Sequence, residues 1–178
     1  LLEKSIMKHG MRSESYFKRL SVRILIVVLL VISILSVYYQ VKDFEFIYYD
    51  DPKYVRDNPM VGKGITLESI QWSISSIGYA SNWHPLTWIS HMVDVELFGS
   101  NPGMHHVTNV FFHIVNTLLL FFVFFRITGE MWRCAAVAAL FALHPLHVES
   151  IAWIAERKDV LSTFFMMLTV WGYFWYVE

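Results

Sequence analysis

Charge is scarce in this chain. Asp, Glu, Lys and Arg make up 16% of its 178 residues, against about 25% in an ordinary soluble domain. A soluble fold of this size needs more polar surface than that to cover its core. An excess of one sign is also missing: the net charge of −1 leaves no basic stripe, the least that a nucleic-acid partner requires. Cysteine is nearly absent. Cys134, the single one, lies in an apolar run, which excludes an intrachain disulfide and a thiolate metal cage and leaves a small buried apolar residue. No internal repeat, low-complexity tract or flexible linker interrupts the sequence. What is abundant is apolar surface: 56% of residues are hydrophobic and 17% aromatic, with a mean hydropathy of +0.45.

That surface is gathered into long runs, and the pattern predicts an all-α membrane protein, a polytopic helical bundle with four spans. These are 20–39 (through ILIVVLLVISILSVYY), 107–125 (VTNVFFHIVNTLLLFFVFF), 132–147 and 160–177, set against the roughly 20 residues that cross a bilayer core. The third is the weakest. CAAVAALFAL is too short to span alone, and Pro145 is expected to kink or break it. The first 23 residues hold Lys4, Lys8, Arg12, Lys18, Arg19 and Arg23; Arg126 and Arg133 mark the short link between the second and third spans. Both groups are expected on the cytoplasmic side, so segment 1–19 is cytoplasmic, and segments 40–106 and 147–159 are external. Tyrosines stand where a signal peptide would need small residues, so the first span reads as an uncleaved anchor. The chain starts at Leu1 and stops at Glu178 directly after an apolar run, and is expected to be a piece of a longer protein.

The external loop 40–106 is too long for a plain connection and is expected to be structured. Thr66 opens a predicted helix running to Ile77, with Leu67, Ile70, Ile74 and Ile77 at helical spacing. A second begins near Pro85, a favoured first-turn residue, and ends at Phe98 before Gly99. Trp72, Trp83 and Trp88 suit amphipathic helices lying in the membrane interface.

Four groups of residues could carry chemistry. Asp50 and Asp51, in FIYYDDPKYV, are adjacent carboxylates beside an apolar wall. Such a pair repels and loses solvation, which raises a pKa and tunes a general base; a solvated turn is the plainer alternative. His84, His91 and Asp94 fall within about 80° on a helical wheel, more in keeping with a polar helix face than with a metal site. His106, Asn109, His113, Asn116 and Thr117 form one stripe on the second span. Polar groups at that depth must face protein or water, and they either glue helices together or line a cavity. Last, HPLHVESIAWIAERKD, read as continuous helix, puts Glu149 and Glu156 about 20° apart. His147, Arg157, Lys158 and Asp159 then stand at the same mouth: a salt-bridge knot, or a site for phosphate or a divalent metal on Glu149 and Glu156.

The stretches YDDPKYVRDNP, NWHPLTWISHMVDVELFG and LFALHPLHVESIAWIAERKDVLS resemble the membrane portion of the C-type (GT-C) glycosyltransferases. They are most similar to the group that joins this membrane domain to C-terminal tetratricopeptide repeats and includes protein O-mannosyltransferases. The resemblance implies sugar transfer, with mannose one candidate, from a polyprenyl-phosphate donor to Ser or Thr hydroxyls of a protein acceptor. The reaction would take place on the non-cytoplasmic face of a bacterial inner membrane. It further implies Asp50 as the catalytic carboxylate with Asp51 second, and His147, Glu149, Glu156, Arg157 and Lys158 as the loop that meets the lipid phosphate or a metal. The rival reading is a non-catalytic membrane anchor that presents a repeat domain. Retention of both acidic clusters speaks for the enzyme.

Overall fold

A computed structural model describes the backbone of residues 2–177 and the side chains of residues 19–177. The described residues form helices and turns with no strand. These are α1 (Leu2–Tyr38), α2 (Leu67–Ser75), α3 (Pro85–Phe98), α4 (Pro102–Thr128), α5 (Met131–Leu143), α6 (His147–Ala152) and α7 (Arg157–Val177), with short helical turns between them.

Three stretches are long and apolar enough to cross a membrane: Arg19–Asp43, Pro102–Thr128 and Ile154–Val177. The chain is an all-α membrane protein. The expected third span is a 13-residue helix, α5, which rises about 20 Å and falls short of a bilayer core of about 30 Å. Its end is local chemistry. His144, just before Pro145, is extended (φ −68°, ψ 128°), as the proline ring demands of its predecessor, and the chain becomes helical again only at His147.

α4 is the central element, against which α1, α5, α6 and α7 all pack. Its ends are set by side-chain and glycine chemistry. Asn101 caps it by accepting from Met104 N at 3.3 Å, with Pro102 in the first turn; at the other end Gly129 adopts φ 71° and donates to the Phe125 carbonyl. That left-handed C-cap favours glycine. Two apolar clusters line the bundle: Ile26, Leu30, Phe121, Cys134 and Ala138 toward the start of α1, then Ile34, Tyr38, Val110, Ala142, Ile151 and Val160. Cys134 is the small buried residue its context implied. The Arg23 guanidinium lies 4.5 Å from the Phe125 ring, so the basic start of the first span and the α4–α5 turn occupy one end of the bundle. α1 shows Ile24, Leu25, Val28, Leu29, Ile32 and Leu35 on its outer face, a lipid-facing stripe.

At the opposite end the loop 44–101 folds onto the bundle. Thr66 and Ser69 make a reciprocal capping box at the start of α2, and α3 keeps the predicted limits, Pro85 to Phe98. The interfacial reading of the tryptophans needs correction. Trp88 is fully buried and Trp72 half-buried; they pack with Tyr54 and Tyr79 in a third core, whose ring centroids lie 4.9–5.6 Å apart. This aromatic core joins the loop to Ile154 and Ala155. Only Trp83, of these three, is exposed. Aromatic rings with several mutual partners gain more from packing together than from a place in the interface.

Candidate functional site

The two adjacent aspartates are divided in role by burial. Asp51 is completely buried. Its Oδ2 accepts from Ile47 N at 2.8 Å, and its Oδ1 accepts from Ala155 N at 3.1 Å, 104 residues along the chain. Burial pushes the Asp51 carboxyl above its ordinary value, against the pull of the two backbone N–H groups. Asp50 is half-exposed, and its backbone carbonyl starts the turn by accepting from Tyr54 N at 2.9 Å. The bond from Ala155 to Asp51 draws this turn against the segment 155–158.

Tyr54 stands where the two segments meet. Its ring is buried, stacked on His84 with centroids 5.4 Å apart, and the Lys158 ammonium sits 5.9 Å from its centroid. Burial pushes the Tyr54 hydroxyl up; Lys158 pulls it back, while Asp50 and Glu156 add to the rise. Asp50, Tyr54, Glu156 and Lys158 therefore share one neighbourhood. Lys158 Nζ donates to Glu156 Oε1 at 2.7 Å. It also opens onto a groove of about 470 Å³ lined by Trp83, His84, Thr87, Leu161, Ser162 and Phe165, among others. Burial, then Lys158, pushes the His84 imidazole down to about 4.

The continuous helix expected through 144–159 is broken. Trp153 is extended (φ −109°, ψ 122°) between α6 and the turn Ile154–Glu156, so Glu149 and Glu156 do not share a helical face. Glu149 is exposed on α6 and Glu156 is half-buried beside Lys158. His147 turns into the bundle, its ring 4.6 Å from that of Phe141.

Arg157 lies away from that groove, wholly buried. Its Nη2 donates to Asp94 Oδ2 at 2.6 Å and to the His105 carbonyl at 2.8 Å, its Nη1 to Ser90 Oγ at 3.0 Å, and its Nε to Asn109 Oδ1. Thr108 donates to the other Asp94 oxygen at 2.9 Å. Burial alone would raise the Asp94 carboxyl, but bonding from His105 and the Arg157 charge hold it below its ordinary value. The polar-face reading of His91 and Asp94 is thereby corrected: both are buried, Asp94 in a network tying α3 to α4 and α7 and His91 against the His105 ring at 5.7 Å.

His91, Asp94 and His105 place one donor atom each within 4.8 Å of one another, and among the described residues no other His, Cys, Asp or Glu group is so compact. They do not fit a divalent ion. The Arg157 guanidinium already holds the carboxylate, and a second cation beside it would be buried against like charge. Glu149 and Glu156 are outside this group.

The stripe on the second span is buried throughout. His106 Nε2 meets the Glu45 carbonyl at 3.5 Å; Asn109 donates to the Trp153 carbonyl at 3.0 Å. His113 Nε2 lies 3.0 Å from the Ala142 carbonyl, and Asn116 donates to the Val160 carbonyl at 2.8 Å. Each fastens α4 to another segment. His113 and Asn116 also border a small cavity. The residues that sequence reasoning left out are Tyr54, Ser90, His105 and Thr108, whose partners come from distant parts of the chain.

Protein O-mannosyl-transferase TMTC1 of Mus musculus is 31% identical to this chain over 140 residues, which is 72% of this chain and 14% of that protein. The Homo sapiens protein of the same name is 31% identical over 140 residues, 72% of this chain and 15% of that protein. Protein O-mannosyl-transferase Tmtc2 of Drosophila melanogaster is 28% identical over 132 residues, 70% of this chain and 14% of that protein. The chain thus spans about one-seventh of the length of these curated relatives. No family model and no solved structure matches it.

Proposed function

We propose, from the relationship of this chain to the protein O-mannosyl-transferases, that it forms part of a membrane glycosyltransferase acting on protein hydroxyls. The donor is a polyprenyl-phosphate sugar, with mannose the first candidate, and the acceptor a Ser or Thr of a protein. The work is done at the end of the bundle that carries Asp50, outside a bacterial inner membrane. The N-terminus and the Arg126–Arg133 turn face the cytoplasm, in keeping with the positive-inside rule.

One observation carries the reading: Asp51 holds Ala155 N at 3.1 Å, which draws the Asp50 turn against the segment of Glu156 and Lys158, all three acting on Tyr54. Asp50 is the base. It removes the acceptor hydroxyl proton as the oxygen attacks the anomeric carbon. The phosphate leaves with the electron pair of the broken bond, and Lys158 meets its charge. One base and no covalent step give inversion. Asp51, with both oxygens on backbone N–H groups, positions its neighbour. Arg157, its donors engaged inside the bundle, fixes the backbone between Glu156 and Lys158, so the phosphate charge falls to Lys158.

The test is transfer from a polyprenyl-phosphate sugar to Ser/Thr-containing acceptors by the full-length protein, wild type beside Asp50→Asn. Undiminished transfer by the variant removes Asp50 as the base. A well-folded wild type with no transfer from any lipid-linked sugar favours a membrane anchor for further domains.

A further inference from the structure

A second cavity, of about 50 Å³, lies between α4, the end of α5, α6 and the first turns of α7. Its polar lining is His113, Asn116, His147, Ser150, Asp159 and Thr163. None of these residues is used by the transfer proposed above.

Asn116 is 1% exposed. Its Nδ2 donates to the Val160 carbonyl at 2.8 Å, and this fixes the amide, because the reversed side chain would set oxygen against oxygen. Oδ1 is the atom left over, buried without a hydrogen-bond donor. A buried acceptor left unmet is costly, so this one points to an occupant. Ser150 Oγ donates to Oδ2 of the exposed Asp159 at 2.9 Å, which holds the carboxylate at the rim of the same cavity, and Thr163 adds to its lining.

The charge balance narrows the occupant. No Lys or Arg lines the cavity. Lys158 is turned to Glu156 at 2.7 Å, and Arg157 to Asp94 at 2.6 Å. His147 is no counter-charge either, since burial and then His144 hold its imidazole below the ordinary value. One carboxylate therefore faces a cavity otherwise lined by neutral oxygens and imidazoles. Calcium gathers more oxygen ligands, several of them carboxylate, than this cavity offers. Imidazole-seeking metals would need a free ring nitrogen, but His113 Nε2 is committed to Ala142 at 3.0 Å. A single water needs about 10–15 Å³ of such space, so the cavity of about 50 Å³ has room for one small ion together with a few waters.

We infer that this cavity is a binding site for a monovalent cation, sodium by its size, held by Asn116 Oδ1, the Asp159 carboxylate and the hydroxyls of Ser150 and Thr163. The ion satisfies the orphaned amide oxygen and ties α4 to α6 and α7.

The test is the thermal unfolding midpoint of the purified protein in detergent, in sodium, potassium or choline chloride at equal ionic strength. Sodium should raise the midpoint saturably by several degrees above choline, and above potassium. Asp159→Asn and Asn116→Ala should each lose the sodium increment. If Asn116→Ala does not fold, Thr163→Val should raise the sodium concentration needed for half the effect. Midpoints that follow ionic strength whatever the cation, or a sodium increment intact in Asp159→Asn, overturn the inference and leave the cavity to ordered water. The readout does not involve sugar transfer, so it stands or falls apart from the proposed activity.

Discussion

Two aspartates that are neighbours in sequence lead different lives in the fold, and the difference is testable. Asp51 accepts one backbone N–H on each oxygen. Asparagine has one acceptor, so Asp51→Asn must turn an NH₂ toward Ile47 N or Ala155 N. The expected cost is about 1–3 kcal/mol of stability, read as a lower unfolding midpoint. Asp50→Asn breaks no side-chain hydrogen bond or ion pair and should leave the midpoint unchanged. Its effect belongs to chemistry: transfer is expected to fall on the order of 10²–10⁴-fold, the usual contribution of a positioned base. The two variants thus separate a positioning carboxylate from a reacting one. A midpoint loss in Asp50→Asn equal to that of Asp51→Asn would count against this division. The motif was legible in the sequence; its division was not. Adjacent carboxylates announce a perturbed site, but which of them is buried depends on Ala155, 104 residues away.

At the scale of elements, several helix limits followed from local signals, while the end of α2 at Ser75 and the break at Trp153 did not. Pro85 and Gly99 bound α3, and Pro145 separates α5 from α6. What joins α3 to the bundle carried no such signal, because Asp94 and Arg157 are 63 residues apart: Asp94 reads as a polar helix face and Arg157 as part of a phosphate-binding loop. The buried pair makes α3 sensitive to loss of either partner. Arg157→Met strands a buried carboxylate, and the expected loss is on the order of 3–5 kcal/mol. Adding Asp94→Asn to it should restore part of that loss, since the stranded charge is then gone. The same carboxyl sets a pH window. Its native value is depressed, so its contribution is complete above the ordinary aspartate range and is lost as pH falls through the native value. Unfolding midpoints measured below about pH 4 should decline for wild type more steeply than for Asp94→Asn. Parallel curves would show that Asp94 titrates alike in both states.

At the scale of the whole molecule, two ends of one bundle carry different chemistry. Arg23 and Phe125 meet at one end, while Asp51 and Ala155 meet at the other. Hydropathy made the spans legible, except that α5 is too short to cross by itself; its length is set by Pro145 rather than by the bilayer. The direction proposed for the bundle rests on the basic residues, and cysteine labelling tests it in intact cells. In a Cys134→Ala background, Lys63→Cys and Glu149→Cys replace exposed residues at the Asp50 end, and Arg133→Cys replaces an exposed residue after the α4–α5 turn. A membrane-impermeant maleimide should label the first two and spare the third until the membrane is opened. The loss of Cys134 is tolerable because alanine leaves only a small void beside Ala138 and Phe121. Labelling of Arg133→Cys in intact cells, with Lys63→Cys protected, would reverse the bundle. Asp50 would then face the cytoplasm, where an external donor and acceptor could not reach it.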